Sequence, residues 1–371
     1  MQPKKYLTSN GIRYKVQFYN AEGKRSTKRG FKTKTEARTW YRHYQNELEY
    51  HGFAAKDKMQ CQEIIDRWLK IKRQTTKGST YRQYFNNCKN HISPYFSQMK
   101  LAEVTIDDCQ QFVDLVAGKL QRFDKVVGSA KAIFKLAVKL KLRHDNPFDY
   151  VDKPRLKHTN APKSFTVDEF QRFKTALTSL KDKDYKAFTM LALLAMTGAR
   201  KGEVMALTWT NVDFDNGTID IEHGYSRDYD NHLTISTPKN DYSVRTVPIG
   251  PAMIAVLKKW RSIQRHQFKI NNVQFGEYGE LIFANDKGGL LGPNQANKWL
   301  RKLEIEYGLP TYVTPHGLRH TFTTLILAND VVNPNEAAKL LGHRDASITM
   351  SVYNDLHEVT DHHAANFLED M

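Results

Sequence analysis

Six side chains between positions 200 and 353 have the types needed to break a phosphodiester. They are Arg200 in Thr-Gly-Ala-Arg-Lys-Gly-Glu, Lys239 in Thr-Pro-Lys-Asn, His316 and Arg319 in His-Gly-Leu-Arg-His, His343 in Leu-Gly-His, and Tyr353 in Ser-Val-Tyr. A phosphodiester resists attack because its charge repels nucleophiles and its alkoxide leaves poorly, so fixed positive charge, a nucleophile and an acid are required. Two arginines and a lysine can neutralise a phosphate, and each arginine does so through a planar fork that lysine lacks. Two histidines can move or hold protons. A tyrosine can attack once its phenol, with an ordinary pKa of about 10, loses its proton.

Local spacing adds detail. Glu203 lies three residues after Arg200, on the same face of a helix, where it could orient the guanidinium. Thr314-Pro315-His316 reads as an N-cap, a proline in the first helical position and a histidine in the first turn. His316 and Arg319 then share one face near the positive end of the helix dipole. His320, one residue further, is expected to face elsewhere and to serve packing. The i, i+4 pair His316 and His320 invites a zinc reading. However, Gly-Leu-Arg between them supplies no glutamate and sets a cation beside the supposed metal. No metal and no cofactor are expected. Among 18 tyrosines, Tyr353 stands out only by its context, ten residues after His343.

In order, local strings and spacing, this set resembles the tyrosine recombinases, most closely the phage-type integrases. The resemblance implies that Arg200 and Arg319 hold the non-bridging oxygens of a five-coordinate transition state. It implies that Lys239, on a hairpin tip, protonates the departing 5′ oxygen; Ser243, Arg245 and Pro248 after it match the family's string. Tyr353 would form a 3′-phosphotyrosyl bond and free a 5′ hydroxyl that attacks a partner's bond, so neither ATP nor metal is required. Either His316 or His343 would accept the proton or hold the phosphate. Four such cleavages imply a homotetramer on double-stranded DNA with core and arm attachment sites, with an excisionase and a host DNA-bending protein as accessory partners. Beyond Tyr353, Ala364, Ala365, Phe367 and Leu368 could form a helix that either docks on a neighbouring subunit or folds back on its own domain.

A chain of 371 residues with 40% hydrophobic content is a multidomain globular protein. Its net charge of +16 points to a polyanionic partner. The charge is segregated: residues 1–55 carry +8, residues 56–155 carry +9, and the remainder carries −1. Two basic modules that grip nucleic acid, joined to a near-neutral module that does chemistry, fit this distribution better than a solubilising surface does. Three cysteines without a Cys-x-x-Cys pair suit a reducing cytosol and small core positions. No apolar run like a signal peptide follows Met1, and the apolar segment 187–196 is too short to span a bilayer. A cytoplasmic protein without membrane contact is expected.

The elements that must position the six residues follow from periodicity. In residues 11–19, Tyr14, Val16 and Phe18 alternate with Arg13, Lys15 and Gln17, giving a half-buried strand with a cationic face. A turn at Ala21-Glu22-Gly23 leads to a second strand, 24–30. Thr33 with Glu36 then caps a helix whose apolar face is Ala37, Trp40, Tyr41, Tyr44 and Leu48. This front module, residues 1–55, resembles an arm-type DNA-binding domain, a three-stranded sheet plus helix. Residues 59–151 read as four amphipathic helices, the last carrying Val126 to Leu140, and resemble a helical (SAM-like) core-binding domain. Residues 152–163 read as a linker, and 164–371 as a mostly helical catalytic domain. Its strands 218–221, 232–236 and 243–249 would form one small antiparallel sheet, with helices from Pro251 onward. The fold class expected is therefore multidomain and mainly α. Candidate DNA contacts are Arg13, Lys15 and Lys28 in the front module. Lys77, Ser79, Thr80 and Arg82 join them at a helix start that favours anions. The reading is a site-specific recombinase that integrates and excises a mobile element. The alternatives are a chromosome or plasmid dimer resolvase of the same family and a non-catalytic DNA-binding regulator.

Overall fold

The computed structural model describes residues 2–8, 11–19, 25–51, 59–156, 164–237, 241–328, 332–343 and 345–356; for 45–51, 241, 348 and 353–356 it describes the backbone only. The chain divides into two compact units, Met1–His158 and Thr159–Met371. The first unit contains two separate hydrophobic cores.

Strands β1 (Lys4–Thr8), β2 (Gly11–Tyr19) and β3 (Arg25–Phe31) form an antiparallel sheet in that order. The alternation in β2 buries Val16 and Phe18 against Phe31 and against Ala37, Trp40 and Tyr44 of α1 (Lys34–His51). Each such aliphatic or aromatic burial contributes roughly 1.5–3 kcal/mol. Thr33 caps α1, its hydroxyl accepting from the Glu36 amide at 3.0 Å. The strand β1 has no apolar alternation and is legible only by its pairing with β2. That pairing sets Lys4 opposite Lys15 and Tyr6 opposite Arg13 on the cationic face.

In the second core, α2 (Cys61–Thr75), α3 (Gly78–Asn87), α4 (Ser93–Phe96), α5 (Ile106–Lys119) and α6 (Phe123–Lys139) surround Phe96, Phe112, Phe134 and Phe148. The expected second helix is α3 continued through one π turn, Cys88–Ile92, into α4. Pro94 has no N–H to give the carbonyl four residues back, and the widened turn just before it accommodates that gap. Thr105 caps α5 through a reciprocal bond with Asp108. Cys61, Cys88 and Cys109 are free and buried, and burial pushes each thiol up to about 12. Leu140, expected to face inward, sits past the end of α6 and is 40% exposed.

The second unit begins with α7 (Val167–Thr178), capped by Thr166, then α8 (Leu180–Lys183) and α9 (Tyr185–Thr197). From Ala187 to Thr197 nearly every α9 side chain is buried, as expected of a helix apolar all round. Around it pack α10 (Lys201–Ala206), α11 (Pro251–Ile270), α12 (Gln295–Glu306) and α13 (Pro315–Ala328). The last two described helices are α14 (Pro334–Leu341) and α15 (Ser347–Leu356).

The single sheet expected here is two sheets. Strands β4 (Val212–Asp213), β5 (Thr218–Ile221) and β8 (Arg245–Pro248) form one, in the order β4-β5-β8. The strands β6 (Gly224–Arg227) and β7 (Leu233–Ser236) form a separate hairpin. Alternation shows which residues face together, but not which strand is the neighbour. The stretch 271–294, expected to be helical, is extended and looped. It is tied to α11 by Trp260 Nε1 and Gln264 Nε2, which both donate to the Ile282 carbonyl. Among the described residues no helix is long and apolar enough to cross a membrane.

Candidate active site

Helix α9 stops at Gly198, whose left-handed φ of 61° turns the chain out of the core; a Cβ there would lie 2.5 Å from Phe322. Two residues later Arg200 is the N-cap of α10, and Glu203 closes the cap by accepting the Arg200 amide at 2.8 Å. The same carboxylate accepts Arg200 Nη1 at 2.7 Å. Its second oxygen also accepts Nη2 of Arg245, at the start of β8, at 2.8 Å. Glu203 is buried, so this is no surface ion pair. Burial alone would raise its pKa, but the bonds and charges from Arg245 and Arg200 outweigh burial and hold the carboxyl below its ordinary range.

The end of α14 organises the rest. The His343 amide donates to the Ala338 carbonyl at 2.9 Å and the Gly342 amide to the Lys339 carbonyl at 3.0 Å. With Gly342 left-handed at φ 66°, this is a Schellman stop. Three carbonyls remain without helical donors, and each receives one arginine. The Leu340 carbonyl accepts Arg245 Nε at 2.7 Å, Leu341 accepts Arg319 Nη2 at 2.8 Å, and Gly342 accepts Arg200 Nη2 at 3.3 Å. Arg319 also donates through Nη1 to the Gly198 carbonyl at 2.9 Å, joining the ends of α9 and α14. The negative end of a helix dipole is a favourable place for cations.

Arg200 and Arg245 share the Glu203 carboxylate while Arg319 bonds the Gly198 and Leu341 carbonyls, and this part of the site keeps an excess of positive charge. Two groups register it. Burial, then the charge of Arg200, pushes Arg319 down to about 9, which still leaves it cationic at neutral pH. Burial, then the charges of Arg319, Arg200 and Arg245, pushes His343 down to about 4, so its imidazole is neutral. The Nδ1 of His343 is hydrogen-bonded to Thr349 Oγ1 at 2.9 Å. Thr349 lies on α15, which packs against α13 and α14 and carries Tyr353 four residues further on. For Tyr353 only the backbone is described.

Thr314 caps α13 by accepting the Gly317 amide at 3.1 Å, and His316 stands exposed in the first turn while Arg319, three residues on, is buried. His320 does not face elsewhere, as i+1 logic suggested. Its ring meets that of His316 edge-on at 4.8 Å, and its charge is among those that depress His343. One helical turn returns i+4 to the same side, which places His320 beside His316. Lys239 and the segment from 357 onward, with Ala364, Ala365, Phe367 and Leu368, lie outside the described residues. Sequence reasoning passed over Arg245 as a functional group. Its only local signal was its place in the string after Lys239. Among the described residues no group of three or more His, Cys, Asp or Glu is placed to hold a metal.

Of the candidate DNA contacts, Arg13 and Lys15 share the outer face of β2, with the Lys15 ammonium 5.9 Å from the Tyr6 ring. Lys28 is exposed, but it pairs with Val16, on the opposite side of the strand from Arg13 and Lys15. Lys77 is the extended N-cap residue of α3, followed by half-buried Ser79 and Thr80. Arg82 lies over the Phe85 ring at 4.8 Å.

Arginine forks massed at one helix end, beside a neutral histidine and a tyrosine-bearing helix, have the electrostatics of a phosphoryl-transfer enzyme. Residues 163–359 match the phage integrase family, and residues 61–115 match the N-terminal SAM-like domain of phage integrases. The chain belongs to the phage integrase family of tyrosine recombinases, and it spans just over half the length of the first of its curated relatives. It is 30% identical over 232 residues to the transposase of transposon Tn916 from Enterococcus faecalis, an alignment covering 61% of this chain and 56% of that protein. A XerC-like tyrosine recombinase of Caldanaerobacter subterraneus is 25% identical over 360 residues, 92% of this chain and 90% of the relative. The fold is shared with the integrase of transposon Tn1549, solved with a circular intermediate DNA. The TM-score is 0.67 at 21% identity, covering 84% of this chain and all of that one.

Proposed function

We propose that this protein is a site-specific integrase of a mobile element, cleaving and rejoining duplex DNA through a 3′-phosphotyrosyl intermediate on Tyr353. The observation that carries the reading is the convergence of Arg200, Arg319 and Arg245 on the Leu340–Gly342 carbonyls, with Glu203 the one carboxylate bonded to them among the described residues. A site so charged has a deficit of negative charge that a scissile phosphate would fill. Arg200 and Arg319 are the phosphate-facing forks in this reading, and Lys239 is the acid for the leaving 5′ oxygen. His343, neutral at pH 7, acts as a hydrogen-bonding or proton-accepting group, and exposed His316 completes the set. Glu203 orients Arg200.

Residues 1–55 form the arm-binding module, presenting Lys4, Tyr6, Arg13 and Lys15 to DNA. Residues 59–151 form the core-binding module, with Lys77, Ser79, Thr80 and Arg82 as phosphate contacts; 164–371 form the catalytic module. The working form is a cytoplasmic homotetramer on two DNA sites, assisted by an excisionase and a DNA-bending protein. The nearly full-length likeness to a XerC-like recombinase favours a dimer resolvase as the second reading; the basic sheet in front of the helical module speaks for the first.

The test is covalent capture on nicked duplexes carrying the sequences that flank the gene. Wild-type protein should form a denaturation-resistant adduct, and Tyr353→Phe, which keeps the ring and removes the attacking oxygen, should bind but form none. Adduct persisting in the Phe variant would overturn the assignment.

A further inference from the structure

The structure assigns Arg245 as a positioning residue for the cleavage reaction: it holds Arg200, through Glu203, and the His343 turn, through Leu340, in one fixed relation. This rests on the reading proposed above. Arg245 is given a positioning role because all three of its side-chain nitrogens, Nε included, donate to protein acceptors. Nε serves the Leu340 carbonyl at 2.7 Å, Nη1 the Ser243 carbonyl at 3.0 Å and Nη2 the Glu203 carboxylate at 2.8 Å. These acceptors belong to three segments that no local sequence signal connects: the end of α14, the approach to β8, and α10.

The geometry on the far side is equally restrictive. A Cβ on Gly342 would fall 3.0 Å from Arg245 Nη1, 3.2 Å from its Cδ and 3.0 Å from the Tyr242 carbonyl. The turn that delivers His343 thus rests directly on the Arg245 side chain. Strand β8 in turn is anchored by its pairing with β5, where Arg245 stands opposite Ile221. A planar fork that satisfies three acceptors in set directions locks its surroundings as an ammonium cannot. Arg245 also contributes charge: with Arg319 and His320 on α13 and Arg200 on α10, it is one of the cations facing His343.

The experiment compares wild type, Arg245→Lys, Arg245→Met, Gly342→Ala and the double variant Arg200→Lys/Arg245→Lys in single-turnover cleavage of the nicked flanking-sequence duplex. DNA affinity and thermal unfolding are measured alongside. Arg245→Lys should bind DNA within about twofold of wild type yet cleave about 10–100-fold more slowly. The double variant should be little slower than Arg200→Lys alone, because the two losses act through one network. In Arg245→Met a cation is removed beside His343, so the acid limb of the rate profile should move to higher pH, whereas Arg245→Lys leaves it in place. Gly342→Ala displaces the fork without deleting it and should reproduce the rate loss, which covers the case where an Arg245 variant does not fold. Normal cleavage by Arg245→Lys and Gly342→Ala, or additive losses in the double variant, would overturn the assignment. Absence of adduct in wild type would instead count against the proposed function.

Discussion

Replacing Arg319 by lysine removes a fork while keeping a formal charge, and the structure sets the size of the loss. Arg319 is 3% exposed and bridges the Gly198 and Leu341 carbonyls at 2.9 and 2.8 Å. One ammonium cannot reproduce both directions, so one buried carbonyl loses its donor, at a cost of about 1–3 kcal/mol. In a unit of this size that lowers Tm by about 2–4 °C per kcal/mol. The burial and neighbouring positive charge that depress Arg319 would depress a lysine in the same direction, from a lower starting value. The lysine would therefore give up its proton more readily than the arginine does. Cleavage at pH 7.5 should fall about 100-fold or more, the usual loss of one preorganised donor. The residual rate should rise as the buffer is lowered from pH 8.5 to 6, following protonation of the lysine. Single-turnover cleavage of a nicked site across that range, with Tm read in parallel, measures both effects. A near-normal rate with a flat profile would show that neither the fork nor its charge state matters to the chemistry.

Removing residues 1–55 should leave cleavage of a core site while abolishing integration at distant arm sites, because the sheet and helical modules have separate cores. A gel-shift titration at several salt concentrations should give a shallower salt slope for the truncated protein, and an unchanged slope would refute the arm-binding role. Glu304 is 1% exposed, its Oε1 has no hydrogen-bond partner, and burial pushes its pKa up to about 7. A folded pKa above the unfolded value of about 4.3 means the protonated form is favoured by folding. That contribution is therefore complete below pH 4 and lost as pH rises through 7. It amounts to at most about 3–4 kcal/mol. Glu304→Gln should remove this loss and raise Tm at pH 8 more than at pH 5; equal Tm changes at both would contradict it. Glu203→Gln should act in the opposite sense, destabilising most above pH 5, since the depressed carboxylate contributes only when ionised.

Much of the candidate site was legible because its parts are local. The Thr314 cap, the proline after it and the i, i+3 spacing of His316 and Arg319 are properties of one helical turn, and helix geometry alone aligns them. The same holds for the Thr105 and Thr166 caps, for the Arg200–Glu203 pair across one turn, and for the alternation that buries Val16 and Phe18. Periodicity of 3.6 or 2 writes these relations directly into neighbouring residues.

What only the tertiary structure decided are relations between residues far apart in the chain. The meeting of Arg200, Arg245 and Arg319 at three consecutive carbonyls depends on how α9, β8, α13 and α14 pack, and no spacing encodes it. Arg245 looked like one more strand residue until its acceptors, 42 and 95 positions away, were in place. The division of the strands into a three-stranded sheet and a hairpin, and the seat of β1 beside β2, likewise follow from partner choice, which alternation leaves open. The depressed proton affinities of Arg319 and His343 arise because packing buries these groups and crowds like charges around them. A residue's type sets its ordinary pKa and its hydrogen-bonding repertoire; the field it works in is made by the rest of the fold.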